Sequence, residues 1–204
     1  MKNVVVIHSD QLRFNGLTLN GAPEGLTPNI DRIAGDGYNF TRHIASNPVC
    51  MPSRASLVTG LYPAGHGVWG NGVPLNRSCY NAPATATNDK HSPGFDPCIE
   101  PATIADVFRQ AGYQTASFGK LHLTPNLAHP DYGFEESYAL WETGKLDDWT
   151  GPYYGFDHAE FAQGHGEFPV TEGGHYANWL KQQAPDIFAA VMEGKKHTTP
   201  IKKR

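Results

Sequence analysis

The stretch NPVCMPSRASLVTG, residues 47–60, places a cysteine at the predicted start of a helix. If this helix starts near Pro52 and ends at Gly60, its free backbone N–H groups point toward Cys50 and favour an oxyanion there. Arg54 lies one turn further on, where its guanidinium can hold the same anion by charge-assisted hydrogen bonds. Cys50 therefore has three interpretations: a small buried hydrophobic residue, a thiolate nucleophile, or the precursor of a modified residue.

Apolar runs and turn signals on both sides of this stretch alternate between strands and helices. Val4–Ile7 is a short continuous apolar run, typical of a strand covered on both faces in a parallel sheet. A helix predicted over 101–111 carries an apolar stripe. The order of the elements predicts an α/β sandwich. The stripe consists of Ile104, Ala105, Val107 and Phe108. Thr27 and Pro28 open a further predicted helix, which Gly35 stops. The other predicted elements are strands over 38–44 and 113–118 and helices over 174–183 and 185–192.

The composition excludes several classes of function. With 204 residues, 39% hydrophobic and 18% charged, the chain is long enough for a globular domain with a sizeable core. Its net charge of -4 gives no basic surface for nucleic acid or an anionic membrane. No apolar run approaches the roughly 20 residues that span a bilayer, and none resembles a signal peptide, so we expect a cytoplasmic protein. Cys50, Cys79 and Cys98 lack the spacing of a zinc site or a disulfide framework.

Two oxygen donors follow the first predicted strand. Asp10 and Gln11 stand where the chain leaves Val4–Ile7, at the edge of a parallel sheet where ligands bind. A carboxylate and an amide oxygen suit a hard cation such as calcium, magnesium or manganese rather than zinc. A solvated turn is the alternative, and for an isolated Asp-Gln pair it is the more frequent one.

Four motifs in a fixed order carry a resemblance to a known family. CMPSRASLVTG matches the sulfatase signature C-x-P-S-R, followed by a short helix and Thr-Gly, and VVVIHSDQL is similar to that family's opening metal-binding strand. TPNIDRIAGDGYNFTRHIA resembles the following helix and strand, and FGKLHL resembles the Gly-Lys-x-His motif. The resemblance covers about residues 3–123 and is to the formylglycine-dependent sulfatases of the alkaline phosphatase superfamily. It implies a three-layer α/β/α sandwich with a mostly parallel central sheet.

The resemblance assigns a role to each polar residue of these motifs. It implies that Asp10, Gln11 and Cys50 bind a divalent cation, which we expect to be Ca²⁺, with Mg²⁺ or Mn²⁺ as alternatives. Cys50 would be oxidised to formylglycine by a formylglycine-generating maturation enzyme and would act as the nucleophile, stabilised by Arg54.

The same resemblance implies contacts with the substrate. Lys120 and His122 would contact the sulfate and the oxygens of the nucleophile. His66, in YPAGHGV, is a candidate wall of the substrate site, although a structural role is an equal alternative. The implied substrate is a small-molecule or saccharide sulfate ester. Tyr153, Tyr154 and Phe156 suggest an aromatic stacking wall, a weaker prediction.

Formylglycine explains why an aldehyde would replace a thiol. Its hydrate carries two hydroxyls on one carbon, one of which attacks sulfur and forms a covalent sulfate ester while the alcohol leaves. Deprotonation of the second hydroxyl then expels sulfate and regenerates the aldehyde.

Two departures from the family pattern leave alternatives open. Asp10-Gln11 replaces the two aspartates of many sulfatases, and relatives with Asp-Gln include phosphonate monoester and phosphodiester hydrolases. The family's downstream Asp-Asn or Asp-His pair, which completes the cation site, is absent. Asp157-His158 matches it only superficially, because no apolar strand precedes these two residues. We therefore interpret residues 1–204 as the N-terminal portion of a sulfatase catalytic domain, and an inactive truncated homologue is the third hypothesis. Within it we expect a motif-bearing core over 1–123, a variable loop-rich region with helices over 124–192 and a polar basic tail over 193–204.

Overall fold

The computed structural model describes residues 2–77, 100–164 and 173–197. The chain divides into two compact units, Met1–Ile44 and Ala45–Arg204. Cys79, Cys98 and the end of the predicted tail lie outside the described residues. In the described part of the chain, no helix has the length and apolar character needed to cross a bilayer.

The N-terminal unit is built around one α-helix and two short 3₁₀ turns. Helix α1 spans Pro28–Gly35, as the sequence predicts, with proline in its first turn. Thr27 does not cap it through its side chain. The hydroxyl of Thr27 instead accepts a hydrogen bond of 2.9 Å from the N–H of Thr18, which ties the helix start to the second 3₁₀ turn. The 3₁₀ turns span Phe14–Gly16 and Thr18–Asn20.

The two strands predicted in this unit are wrong for the described structure. Val4–Ile7 and residues 38–44 have no strand hydrogen bonds, and Val5 and Ile7 are 81% and 85% exposed. An apolar run becomes a strand only when a neighbouring strand accepts and donates its backbone hydrogen bonds. The only paired strands in the described ranges lie in the second unit, so neither apolar run has a partner.

The second unit combines helices with a two-stranded parallel sheet. Strand β1 (Ala116–Phe118) pairs with strand β2 (His158–Glu160), with Ala116 opposite His158 and Phe118 opposite Glu160. The predicted α/β class and parallel pairing are confirmed in this part of the chain, while the full three-layer sandwich stays a prediction. The elements in chain order are α2 (Cys50–Thr59), α3 (Pro63–His66), α4 (Ile104–Gln110), β1 (Ala116–Phe118), α5 (Tyr138–Glu142), β2 (His158–Glu160), α6 (His175–Gln183) and α7 (Pro185–His197), with a 3₁₀ turn at Pro130–Tyr132 between β1 and α5.

Helix α4 is confirmed, but only part of its predicted apolar stripe is buried. The Thr103 side chain accepts a hydrogen bond from the Asp106 N–H and completes a capping box, which sets the helix start. Ala105 is buried, whereas Ile104 and Val107 are 46% and 58% exposed. The helix has only seven residues, and no described element covers the side that carries Ile104 and Val107.

The core of the second unit lies between α2 and the chain that follows β1. Helix α2 contributes Met51, Ala55 and Val58, which are all buried. Tyr153 and Tyr154 belong to this core and are 2% and 5% exposed, so the prediction that they form a stacking wall is wrong. Both rings pack edge-on at 4.7 Å between centroids, a geometry that fills a core. The rest of the cluster is Val68, Leu75, Leu121, Leu123, Leu140, Trp141, Leu146, Ala159 and Phe161.

Candidate active site

Cys50 is the first residue of α2, and two asparagine side chains organise the turn that holds it. Val49 stands at the N-cap and has no side-chain acceptor. Its own N–H donates to Oδ1 of Asn47 at 2.8 Å, and the N–H of Met51 donates to Oδ1 of Asn71 at 3.0 Å. Asn71 therefore satisfies a backbone donor that an N-cap residue would normally satisfy. Cys50 is partly exposed and forms no disulfide.

Arg54 connects this helix to the Gly-Lys-x-His segment. Its side chain is only 5% exposed, and Nη1 donates a 2.5 Å hydrogen bond to the carbonyl of Lys120. The two residues stand 66 positions apart in the chain, so the bond joins two motifs that the sequence presents separately. A guanidinium has five N–H donors in a rigid fork, and this bond uses one of them.

Lys120 and His122 follow the carboxyl end of β1. The N–H of Gly119 donates to the carbonyl of Glu160 at 2.8 Å and closes the strand pair at that end. His122 is buried at 3% exposure and has a φ of 54°, in the left-handed region that non-glycine residues rarely adopt. The structure thus places Lys120 and His122 at the edge of the sheet where parallel strands present ligand-binding residues.

Glu136 is a buried carboxylate that the sequence did not reveal. Its Oε1 accepts the N–H of His122, and its Oε2 accepts the N–H groups of Leu123 and Thr124 at 2.6 and 3.0 Å. The hydroxyl of Tyr153 donates to Oε2 at 2.7 Å. Burial raises the pKa of the Glu136 carboxyl, and these hydrogen bonds oppose the rise because they favour the ionised form. In the sequence, Glu136 sits in the polar segment GFEES, whose pattern resembles any solvated loop.

His66 connects α2 to α3 and is buried at 2% exposure. Its Nδ1 accepts the N–H of Val68 at 3.1 Å, so the proton lies on Nε2, which donates to Oγ of Ser56 at 2.9 Å. Burial lowers the pKa of His66 below its ordinary value of 6.5. These contacts favour the structural interpretation, and substrate contact by His66 stays a prediction.

Asp10 and Gln11 lie in the N-terminal unit, whereas Cys50 lies in the second unit. Their convergence on one cation stays a prediction. Gln11 has a φ of 55°, so like His122 it is one of three described non-glycine residues in the left-handed region. The chain bends at Asp10 and Gln11, the positions where the sequence predicts ligands. No group of three or more His, Cys, Asp or Glu side chains that could hold a metal occurs among the described residues.

Asp157-His158, the pair set aside in the sequence, lies at the opposite end of the sheet from Lys120. His158 is the first residue of β2, so the pair precedes a strand rather than following one. Asp157 Oδ2 accepts a hydrogen bond of 3.1 Å from the hydroxyl of Thr115, just before β1. His158 contacts Glu160 at 2.9 Å on an exposed part of the strand. This placement agrees with leaving the pair out of the candidate site.

The whole described chain is similar to sulfatases. The family described as Sulfatase matches residues 2–197. An "Ulvan-active sulfatase" from Formosa agariphila is 30% identical over 190 residues, which cover 90% of this chain and 32% of that relative. An "Arylsulfatase" from Clostridium perfringens is 35% identical over 60% of this chain and 21% of its own length. "Arylsulfatase H" from Homo sapiens is 34% identical over 68% of this chain and 24% of its own length. The chain therefore spans between a fifth and a third of the length of these relatives.

Proposed function

The chain belongs to the sulfatase family, and we propose that it acts as a sulfuric ester hydrolase whose nucleophile is made from Cys50. The observation that supports this proposal most is the hydrogen bond from Arg54 to the Lys120 carbonyl. It brings the nucleophile motif and the Gly-Lys-x-His motif together in one packed structure, with Cys50 one helical turn from Arg54.

In this proposal the start of α2 prepares residue 50 for chemistry. Cys50 is partly exposed, so a formylglycine-generating enzyme can reach it and convert the thiol to an aldehyde. Asn71 holds the N–H of Met51, and the positive end of the helix dipole faces residue 50. Arg54 adds a permanent positive charge that stabilises the oxygens of the hydrated aldehyde.

Lys120 and His122 supply the contacts with sulfate. The ammonium group of Lys120 neutralises negative charge that builds up on the nonbridging oxygens during the reaction. The imidazole of His122 holds a proton within reach of the nucleophile's oxygens and the departing alcohol. His122 itself has a φ of 54°, so the chain turns at this residue just after Lys120.

Asp10 and Gln11 are the residues of this chain that would hold a divalent cation, together with residue 50. Carboxylate and amide oxygens are the ligands that Ca²⁺, Mg²⁺ and Mn²⁺ prefer. Such a cation would supply Lewis-acid chemistry, polarising a sulfate oxygen and making the nucleophile's hydroxyl more acidic. We propose Ca²⁺ as the cation, with Mg²⁺ or Mn²⁺ as alternatives.

We propose that the catalytic domain is a three-layer α/β/α sandwich in which Val4–Ile7 forms a strand. Val4–Ile7 is apolar and highly exposed, as expected for a segment that becomes a strand when it gains neighbours on both sides. In a three-layer α/β/α sandwich with a mostly parallel central sheet, this segment would be an inner strand. Asp10 and Gln11 would then stand at its carboxyl end.

A phosphonate monoester or phosphodiester hydrolase is the second candidate function, because Gln11 stands where many sulfatases have a second aspartate. The two functions are separated by comparing the turnover of an aryl sulfate with that of an aryl phosphonate monoester. The protein is produced together with a formylglycine-generating enzyme and assayed with Ca²⁺, and Cys50→Ala is the control. A sulfatase has the higher kcat/KM for the sulfate, whereas a higher kcat/KM for the phosphonate assigns the second function. Equal turnover by the wild type and Cys50→Ala overturns both candidate functions. Calcium-dependent turnover by the wild type rules out an inactive homologue.

A further inference from the structure

Three consecutive backbone N–H groups point at a single buried carboxylate. His122 donates to Oε1 of Glu136, and Leu123 and Thr124 donate to Oε2 at 2.6 and 3.0 Å. The hydroxyl of Tyr153 adds a fourth donor at 2.7 Å. Glu136 itself is only 3% exposed. Convergent backbone N–H groups of this kind form an anion-binding nest, and here the anion is a side chain of the same chain.

A buried carboxylate is a costly way to stabilise a core. Removing an ionised carboxylate from water is unfavourable, and well-packed apolar side chains often stabilise a protein as well or better. Leu123 and Tyr153, which flank Glu136, belong to the main apolar core of the second unit. Glu136 therefore contributes through the backbone conformation that its hydrogen bonds hold, rather than through the burial of its side chain.

That conformation is the turn that carries Lys120 and His122. His122 has a φ of 54°, which a non-glycine residue adopts only when its surroundings impose it. Glu136 holds the three N–H groups that begin at His122, and Arg54 holds the carbonyl of Lys120 on the preceding side. The segment 120–124 is thus fixed at both ends, by the helix of the nucleophile and by a carboxylate that lies 14 positions after His122.

We propose that Glu136 is a positioning residue for the active site: its carboxylate holds the backbone of 122–124 so that Lys120 and His122 meet the sulfate group. The catalytic part of this inference rests on the proposed function. Glu136 does not contact the substrate and acts only through the backbone of the turn. Glu136→Gln retains the size of the side chain but replaces one accepting oxygen by an N–H₂ donor, which cannot accept from the turn.

The first experiment is amide hydrogen exchange measured by NMR, which needs no activity. Because glutamine keeps one accepting oxygen, Glu136→Gln should lose either the bond from His122 or the bonds from Leu123 and Thr124. At least one of these three amides should therefore exchange roughly 5- to 10-fold faster relative to the amides of α2, as expected for the loss of a buried hydrogen bond. The matched control is Tyr153→Phe, which removes one hydrogen bond to Glu136 in the same part of the core but leaves the three backbone bonds in place. Unchanged relative protection in Glu136→Gln would overturn the proposal.

The second experiment measures aryl sulfate turnover by the purified protein. We expect Glu136→Gln to lower kcat/KM by about 10- to 100-fold, as other indirect supports of site residues do, and to raise KM as well, because Lys120 and His122 bind the sulfate. A variant that is merely less folded loses apparent kcat in proportion to the folded fraction and keeps its KM. The positioning role is overturned if Glu136→Gln loses no more kcat/KM than Tyr153→Phe does, or if its KM is unchanged. Absence of turnover in the wild type overturns the proposed function, and amide exchange still decides whether Glu136 holds the turn.

Discussion

Nη1 of Arg54 donates a 2.5 Å hydrogen bond to the main-chain carbonyl of Lys120, and the Arg54 side chain is almost completely buried. A buried guanidinium needs acceptors for its N–H donors, and the Lys120 carbonyl is one of them. The bond links the nucleophile helix to the segment that follows β1. It makes Arg54 a structural residue as well as a proposed catalytic one.

Replacing Arg54 should therefore reduce stability independently of any catalytic effect. Arg54→Ala leaves the Lys120 carbonyl without this donor, and we expect a loss of about 1–3 kcal/mol in the free energy of unfolding. Arg32→Ala, at an exposed position in α1, is the control and should change stability by no more than about 0.5 kcal/mol. Urea denaturation followed by circular dichroism measures both. Equal stability of the two variants would show that the Arg54–Lys120 bond contributes nothing.

The side chain of Asn71 should stabilise the start of α2. Asn71→Ala removes the acceptor for the Met51 N–H, which costs about 1 kcal/mol, as for the loss of an N-cap. Asn71→Asp keeps an acceptor oxygen and adds a negative charge near the positive end of the helix dipole, so it should restore the stability. Thermal denaturation distinguishes the two variants, and an Asn71→Asp protein as unstable as Asn71→Ala contradicts this account.

The stability of the second unit should decrease in acid because of two histidines, of which His66 is buried and His175 is partly buried. Desolvation lowers the pKa of His66 and of His175 below 6.5. His175 Nδ1 accepts the N–H of Phe161 at 2.9 Å, so its Nε2 donates to the carbonyl of Trp149 at 2.6 Å. Both rings are therefore neutral in the native state, whereas the same histidines of the unfolded chain take up protons near pH 6.5. The stability that the two neutral rings contribute is fully present above pH 6.5. It is lost as the pH falls from 6.5 toward the lower pKa of each histidine in the native state.

The variant His66→Asn tests this pH dependence. Asparagine can accept the Val68 N–H in place of Nδ1, but it does not titrate. We expect this variant to be less stable than the wild type at neutral pH and to lose less additional stability between pH 6.5 and the lower native pKa of His66. His129→Gln, at an exposed position, controls for the replacement of a histidine. Denaturant midpoints at several pH values provide the measurement, and parallel pH profiles for the wild type and His66→Asn would refute the prediction.

Calcium binding should depend on Asp10. Asp10→Asn removes the charged ligand of the proposed site, and we expect calcium affinity to fall at least about tenfold, which corresponds to about 1.4 kcal/mol. Asp36→Asn, in the same unit and exposed at the end of α1, leaves the proposed ligands intact. Isothermal titration with CaCl₂ measures the affinity of each protein. Identical affinities for the wild type and Asp10→Asn would remove Asp10 from the site.

Local signals in the sequence predicted the longer helices, whereas α3 and α5, with four and five residues, were not predicted. Pro28 at the start of α1 and Gly60 at the end of α2, with a φ of 69°, act within one turn of their own positions. The strands were less predictable, because Val4–Ile7 carries the composition of an inner strand but has no partner in the described residues. Whether an apolar run is a strand depends on residues far away in the chain, and periodicity does not contain that information.

The candidate site was predictable only where a motif carries it. Arg54 and His122 belong to motifs, and the structure places both in one packed unit. Glu136 has no signature, because a glutamate in a polar loop looks solvent-exposed until the fold surrounds it with donors. Asn71 was missed for the same reason, since its acceptor oxygen serves the N–H of Met51, 20 positions earlier in the chain. Residues that hold a site together act through tertiary contacts, and only the structure reveals them.

The proposed function depends on Cys50 being the precursor of the nucleophile. The most direct test is the mass of the proteolytic peptide that contains residue 50, from protein produced together with a formylglycine-generating enzyme. We predict the mass of the aldehyde, together with its disappearance in Cys50→Ala and its conversion to a hydrazone when the peptide is treated with a hydrazide. A peptide with the mass of unmodified cysteine under these conditions would contradict the account.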